Sequence, residues 1–280
     1  MSVQQLEETL ENLYRTYNRR EFIHPDPLEV LYDYEDLRDR EIAGLIASSL
    51  AYGRVSQILQ SISRVLEWMG PSPFRFIEDA TMESLWDTFS GFKHRFTTGD
   101  ELAEMLFGVK TVITKYGSLR ACFKKGLSNN TRSTVPAITG FVEELRAGFH
   151  HRSSSLLPSP AKGSACKRLN LFLRWMIRRD DVDPGGWEGI SPIYLVVPLD
   201  THLHRICLAL GFTNRKQADM KTAMEITDAF REIVPHDPVR YDFALTRLGI
   251  RKDMDVTSFL DECGRTTTTQ YNVQRSTYAA

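Results

Sequence analysis

Apolar positions recur at three- and four-residue steps along nearly the whole chain, the pattern of helices that each bury one face. Leu6, Leu10, Leu13 and Tyr17 mark a first helix. Ile42, Leu45, Ile46 and Leu50 mark a second, and Val55, Ile58, Leu59, Ile62 and Leu66 a third, with Gly53 placed to break between them. Leu102, Met105, Leu106, Val109 and Val112 give another, followed by Ile138, Phe141, Val142 and Leu145. Met220, Met224, Ile226, Thr227, Phe230 and Val234 form a late helix. After it, Asp237 followed by Pro238 reads as an N-cap with proline at the first helical position, and Gly249 as the close of that helix. The one strand-like run, IYLVV at 193–197, stands alone. Residues 150–164, rich in Ser and Pro, and the turn cluster DDVDPGGWEG at 180–189 read as loops. The tail 266–280 has no apolar period and reads as a flexible end. The expected fold class is all-α.

Composition adds limits rather than identity. A chain of 280 residues is long enough for a substantial core, and 42% hydrophobic with 25% charged residues is ordinary for a globular protein. The formal net charge of -1 gives no whole-molecule argument for nucleic acid or membrane, so any such argument must come from local clustering. No apolar run reaches the ~18 residues of a membrane span. The start, MSVQQLEETLENLYRTY, is amphipathic and lacks a signal-peptide core. A cytoplasmic protein with no membrane partner is expected. Cys122, Cys166, Cys207 and Cys263 are scattered without CxxC spacing, so no metal and no iron–sulfur cluster is expected.

Local clustering does occur. Residues 164–179 read SACKRLNLFLRWMIRR, and helical geometry places Ala165, Leu169, Phe172, Leu173 and Met176 on one side. Lys167, Arg174 and Arg178 fall on the other, with Ser164 as a plausible N-cap. Between 161 and 180 six basic residues (Lys162, Lys167, Arg168, Arg174, Arg178, Arg179) face one acid, Asp180. Such a stripe is either a solvated helix face or a phosphate-binding face. Thirty residues on, PLDTHLHRI at 198–206 places Asp200 at the head of another helix. Asp200 is then an N-cap, a carboxylate at the mouth of a site, or both, because a helix N-terminus favours an anion.

The order of these segments resembles the helix-hairpin-helix DNA glycosylase superfamily. LPSPAKGS leads into the helix bearing Lys167, and VVPLDTH follows. In that family a hairpin precedes a helix that carries a lysine in the bifunctional members, and a later aspartate is the catalytic carboxylate. ASSLAYGRVSQIL at 47–59 is similar to the early family helix whose end meets DNA. The usual hairpin, L-P-G-x-G, keeps only Gly163 here, and the lysine-to-aspartate spacing is longer, closer to the archaeal 8-oxoguanine glycosylase branch. The cysteine cluster of endonuclease III is absent, so the resemblance carries over no iron–sulfur cluster. The chain as a whole, over roughly 1–265, also resembles a mostly bacterial family of uncharacterised proteins through AYGR, GFKHRF, KRLNLFLRWM and PLDTH.

The resemblance implies two helical lobes with a cleft between them. One lobe spans 40–190 and includes the hairpin-like segment 156–178; the other combines 1–39 with 191–265. It implies base excision from DNA, with Asp200 as catalytic carboxylate and Lys167 as Schiff-base nucleophile, Lys162 being a rival. Arg54, Gly163, Arg168, Arg174, Arg178 and Arg205 would contact the nucleic acid. Tyr52, Trp175 and Trp187 would line a base pocket, with His202 beside Asp200. Two alternatives stay open: a non-catalytic helix-hairpin-helix nucleic-acid-binding protein, and an all-α protein whose basic helix meets a protein partner. Neither the oligomeric state nor the target base is fixed by the residues.

Overall fold

The architecture follows from one helix that is buried on nearly every side. In the computed structural model, which describes residues 3–128, 132–149, 155–250 and 256–263, this is α2 (Leu37–Ser49). Asp36 caps it, its carboxylate accepting from the Arg38 amide. Ile42, Ala43, Leu45, Ile46 and Ala47 are all sealed from solvent. So are two carboxylates, and both are satisfied. Asp39 accepts from Ser72 Oγ at 2.7 Å and the Phe74 amide at 2.8 Å. Glu41 accepts from the Leu119 and Arg120 amides at 2.8 and 3.2 Å and from Trp187 Nε1 at 3.0 Å.

With α2 are grouped α3 (Val55–Met69), α4 (Pro73–Asp79), α5 (Met82–Phe89), α6 (Gly99–Tyr116), α7 (Leu119–Lys125), α8 (Val135–Leu145) and α9 (Lys167–Ile177): α3, α4, α7 and α9 pack on α2, and α5 and α8 pack on α6. Two glycines shape this group. Gly53 turns the chain from α2 into α3 with φ of +103°. Gly108 lets α6 touch α8, since a Cβ there would sit 1.9 Å from the Leu145 carbonyl oxygen. A 3₁₀ segment, Pro27–Asp33, packs on α2 and α3. A second group of helices comprises α1 (Val3–Tyr17), α10 (Thr201–Leu210), α11 (Met220–Ile233), α12 (Asp242–Ile250) and α13 (Val256–Glu262). Here α12 packs on α1 and α10, and α13 on α10. One continuous apolar core runs through the described residues.

The fold is predominantly helical, as the apolar periodicity indicates. Among the described residues the sheet structure is one small antiparallel hairpin, β1 (Lys93–His94) with β2 (Thr97–Thr98). No helix there is long and apolar enough to cross a membrane.

Several local expectations fail for definable reasons. IYLVV is not a strand: Pro192–Tyr194 form a 3₁₀ turn, and the buried extended run after it finds a side-chain partner, the Val197 amide donating to Thr227 Oγ1 at 3.1 Å. Asp237 does not cap a helix, because its carboxylate turns back to Arg178 at 2.9 Å and the chain makes a turn instead. The helix begins at Asp242 and passes through Gly249 to Ile250. Ser164 is not the N-cap of α9; that position is Cys166, at φ 47°, whose amide donates to Ser164 Oγ. The tail 266–280 and residues 150–154 of the Ser- and Pro-rich loop lie outside the described residues.

Candidate functional site

Two helix starts converge to make the site. The first is α9. Pro160–Lys162 form a 3₁₀ turn, Gly163 reverses the chain at φ +80°, and Ser164 pairs with Asp219 before Cys166 enters the helix. Lys167 is therefore the first residue of α9. The second is α10, where Asp200 caps the helix by accepting from the Leu203 amide at 2.8 Å. There Lys167 Nζ lies 3.3 Å from Asp200 Oδ2, with the two side chains 38% and 14% exposed. The pair is open to solvent on one side and rests on buried groups on the other.

Those buried groups continue down the same face of α9. Arg174 lies between Asp183, at 3.1 Å, and Asp242. Arg178 pairs with Asp180 at 2.8 Å, with Asp237 at 2.9 Å and with Asp183. Burial pushes the Asp242 carboxyl up to about 6, against the pull of Arg174, and the charge of Asp200 adds to that rise. Burial likewise pushes the Cys207 thiol well up, with Asp242 and Asp200 adding to it.

This corrects the basic stripe. Only 4% of each side chain of Arg174 and Arg178 is exposed, so neither presents a guanidinium to a phosphate. Carboxylates from the 180–183 loop, the 235–241 turn and α12 take the place of solvent. Arg168 is also engaged, donating to the Ser49 carbonyl at 2.5 Å and to the Ser155 carbonyl, with its guanidinium 5.0 Å from the Tyr52 ring centre. Trp175 and Trp187 are fully buried and line no base pocket. The Trp187 ring lies 5.1 Å from Phe172 and 5.5 Å from Phe123, anchoring its loop to the core through Glu41.

The remaining candidates lie at the surface. Arg54, Lys162, Gly163, His202 and Arg205 are exposed. The amine within ion-pair reach of Asp200 is that of Lys167. Tyr52 is half-buried; its hydroxyl bonds with the His94 carbonyl at 2.9 Å and Thr97 Oγ1 at 2.7 Å, and its ring stacks on Phe96. No group of three His, Cys, Asp or Glu residues that could hold a metal occurs among the described residues.

Sequence reasoning missed Asp183, Asp237 and Asp242, which complete the buried charge network. The signal was available for Asp183: three aspartates in four positions directly after three arginines within six residues suggest pairing as readily as a solvated turn. It also missed the hairpin at 93–98, which is too short to carry a period.

No curated protein and no solved structure matches the chain. Residues 26–251, which contain both helix starts and the network behind them, match the family described as a protein of unknown function (DUF2400), and the chain belongs to that family.

Proposed function

We propose that the chain excises a damaged base from DNA, as a glycosylase or glycosylase/lyase, with Asp200 and Lys167 as the reacting pair. The observation that carries this reading is the 3.3 Å approach of Lys167 to Asp200 at two converging helix starts, partly open to solvent. The resemblance in segment order supports it, since the lysine and aspartate that meet are those that the glycosylase likeness singles out. The family description names no activity, and nothing in the comparisons ties it to glycosylases.

The chemistry asks for an amine and a carboxylate at one sugar carbon. The amine acts only after losing a proton, for which Asp200 is within reach. Its lone pair then forms the bond to the anomeric carbon, the bond from that carbon to the base breaks, and Asp200 passes on the proton it took, so the base leaves in its protonated, neutral form. With that proton delivered, Asp200 is ionised again and stabilises the positive charge on the sugar and its new amine bond. Ring opening gives the Schiff base between Lys167 and the sugar.

Borohydride trapping tests this directly. Wild type, Lys167→Ala and Lys162→Ala proteins are mixed with duplexes carrying an abasic site, 8-oxoguanine, uracil or an oxidised pyrimidine. The expected result is a covalent adduct on at least one duplex, kept in Lys162→Ala and lost in Lys167→Ala. The Asp200→Asn variant should lose base excision while keeping its fold. Absence of any adduct removes the lyase, and salt-sensitive binding in that case points to a non-catalytic nucleic-acid-binding protein.

A further inference from the structure

We infer that Phe96, at the tip of the β1–β2 hairpin, is a stacking platform for an unpaired nucleic-acid base. The inference rests on the nucleic-acid part of the reading above and is independent of the excision chemistry. Phe96 is 62% exposed, whereas the other exposed large apolar side chains, Val55, Trp68 and Trp86, are 39% or less. A phenylalanine so placed would lower its free energy by turning inward, unless its mount prevents that.

The mount is rigid. One face of Phe96 stacks on Tyr52, with ring centres 4.9 Å apart and planes inclined by 22°. The Tyr52 hydroxyl is tied to the hairpin on both strands, at the His94 carbonyl and Thr97 Oγ1. The buried His94 ring is in turn held by Ser61 Oγ at 2.9 Å and by the Tyr52 carbonyl at 3.0 Å. Arg95 closes the turn at φ 55°, a conformation that side chains other than glycine rarely adopt. Its own side chain runs across Gly53, where an added Cβ would come within 2.9 Å of it. The hairpin is thus fastened to the end of α2 and to α3, with Phe96 held outward.

The surroundings fit a nucleic acid rather than a lipid or an apolar peptide. Lys93 and Arg95 precede Phe96 in the hairpin and are exposed, and exposed Arg54 follows Gly53. An aromatic face set among cations is the combination that binds single strands, through base stacking and phosphate neutralisation. The platform is also continuous with the proposed site. The Tyr52 ring contacts both Phe96 and the Arg168 guanidinium, and Arg168 follows Lys167 on α9.

The test uses the full chain and a duplex with an abasic site opposite 2-aminopurine, compared with the same duplex fully paired. Phe96→Ala should weaken binding to the abasic duplex by about 5- to 150-fold, the range for losing one stacked base. Phe96→Trp should keep the affinity and Phe96→Leu should not. Wild type should quench 2-aminopurine fluorescence and Phe96→Ala should not, with circular dichroism confirming that each variant is folded. Replacing Lys93 and Arg95 by Ala should each lower the salt slope by about one. Unchanged affinity in Phe96→Ala overturns the inference even where trapping through Lys167 succeeds. Phe96-dependent binding without any trapped adduct upholds it and removes the excision chemistry alone. No binding by wild type overturns both.

Discussion

At the start of α9 the Lys167 ammonium faces Asp200 across 3.3 Å with more than a third of its side chain in solvent. Two turns on, the Arg174 guanidinium lies between Asp183 and Asp242 with all three side chains sealed. The pairs lie along one face of one helix, and the residue types differ in a way that suits their places. A guanidinium stays charged in any protein environment and forks between two carboxylates, so it can hold a buried network together. An amine can lose its proton and is a point charge, so it suits a place where a reacting atom arrives. The sealed end ties α9 to α12 and the 235–241 turn, and the open end leaves the Lys167–Asp200 pair facing solvent on that frame.

The largest effect that would break this contrast is expected at Asp183. It is fully buried and shared by Arg174 and Arg178, so Asp183→Ala takes one carboxylate from each of two buried guanidiniums and leaves its place without water. Removing one partner of a buried pair costs about 3–5 kcal/mol. Urea unfolding should show that loss or a failure to fold; a change below ~1 kcal/mol would make the two ends of α9 equivalent.

A second effect, nearly as large, depends on pH. Asp242 titrates at about 6 in the folded chain, above its ordinary 3.8, because burial disfavours its charge. A raised carboxyl holds its proton more tightly when folded, so its contribution to stability is complete below pH 4 and is lost as pH rises through 6. Two pH units correspond to about 3 kcal/mol. Measured against Asp242→Asn, the wild type should lose stability between pH 4 and 6. A gain over that window would mean that Arg174 outweighs burial.

What the sequence revealed follows the same division. Helix periodicity was legible wherever one face met the core, as in α1, α3 and α11. Asp200 was legible as a cap because capping is local, set by a short polar side chain before an apolar run. The stripe on α9 was legible as charge and illegible as place. Periodicity assigns Arg174 and Arg178 to the face opposite the apolar one, and solvent is the default occupant of that face. What occupies it here are carboxylates from two to sixty-eight residues away, whose approach is decided by packing rather than by local pattern. The same limit explains Asp237, an N-cap by local rule that a distant guanidinium recruits instead. The turn cluster around Trp187 is legible as a loop, and the buried Glu41 that anchors its indole lies 146 residues earlier.

The smallest effects sharpen the comparison most, because they separate charge from fold at the open end. Asp200→Ala removes a cap and should cost about 1 kcal/mol. Asp200→Asn keeps an equally good capping oxygen for the Leu203 amide and removes only the charge, so its stability should lie within ~0.5 kcal/mol of wild type. Lys167→Ala, breaking a partly exposed pair, should fall within ~1 kcal/mol. Thermal unfolding of the three variants beside Asp183→Ala gives the ranking. If Asp200→Asn instead unfolds like Asp183→Ala, the Lys167–Asp200 pair is one more rung of the buried ladder. A nearly unchanged midpoint would show a carboxylate whose charge the fold does not need, and that is the condition for it to serve chemistry.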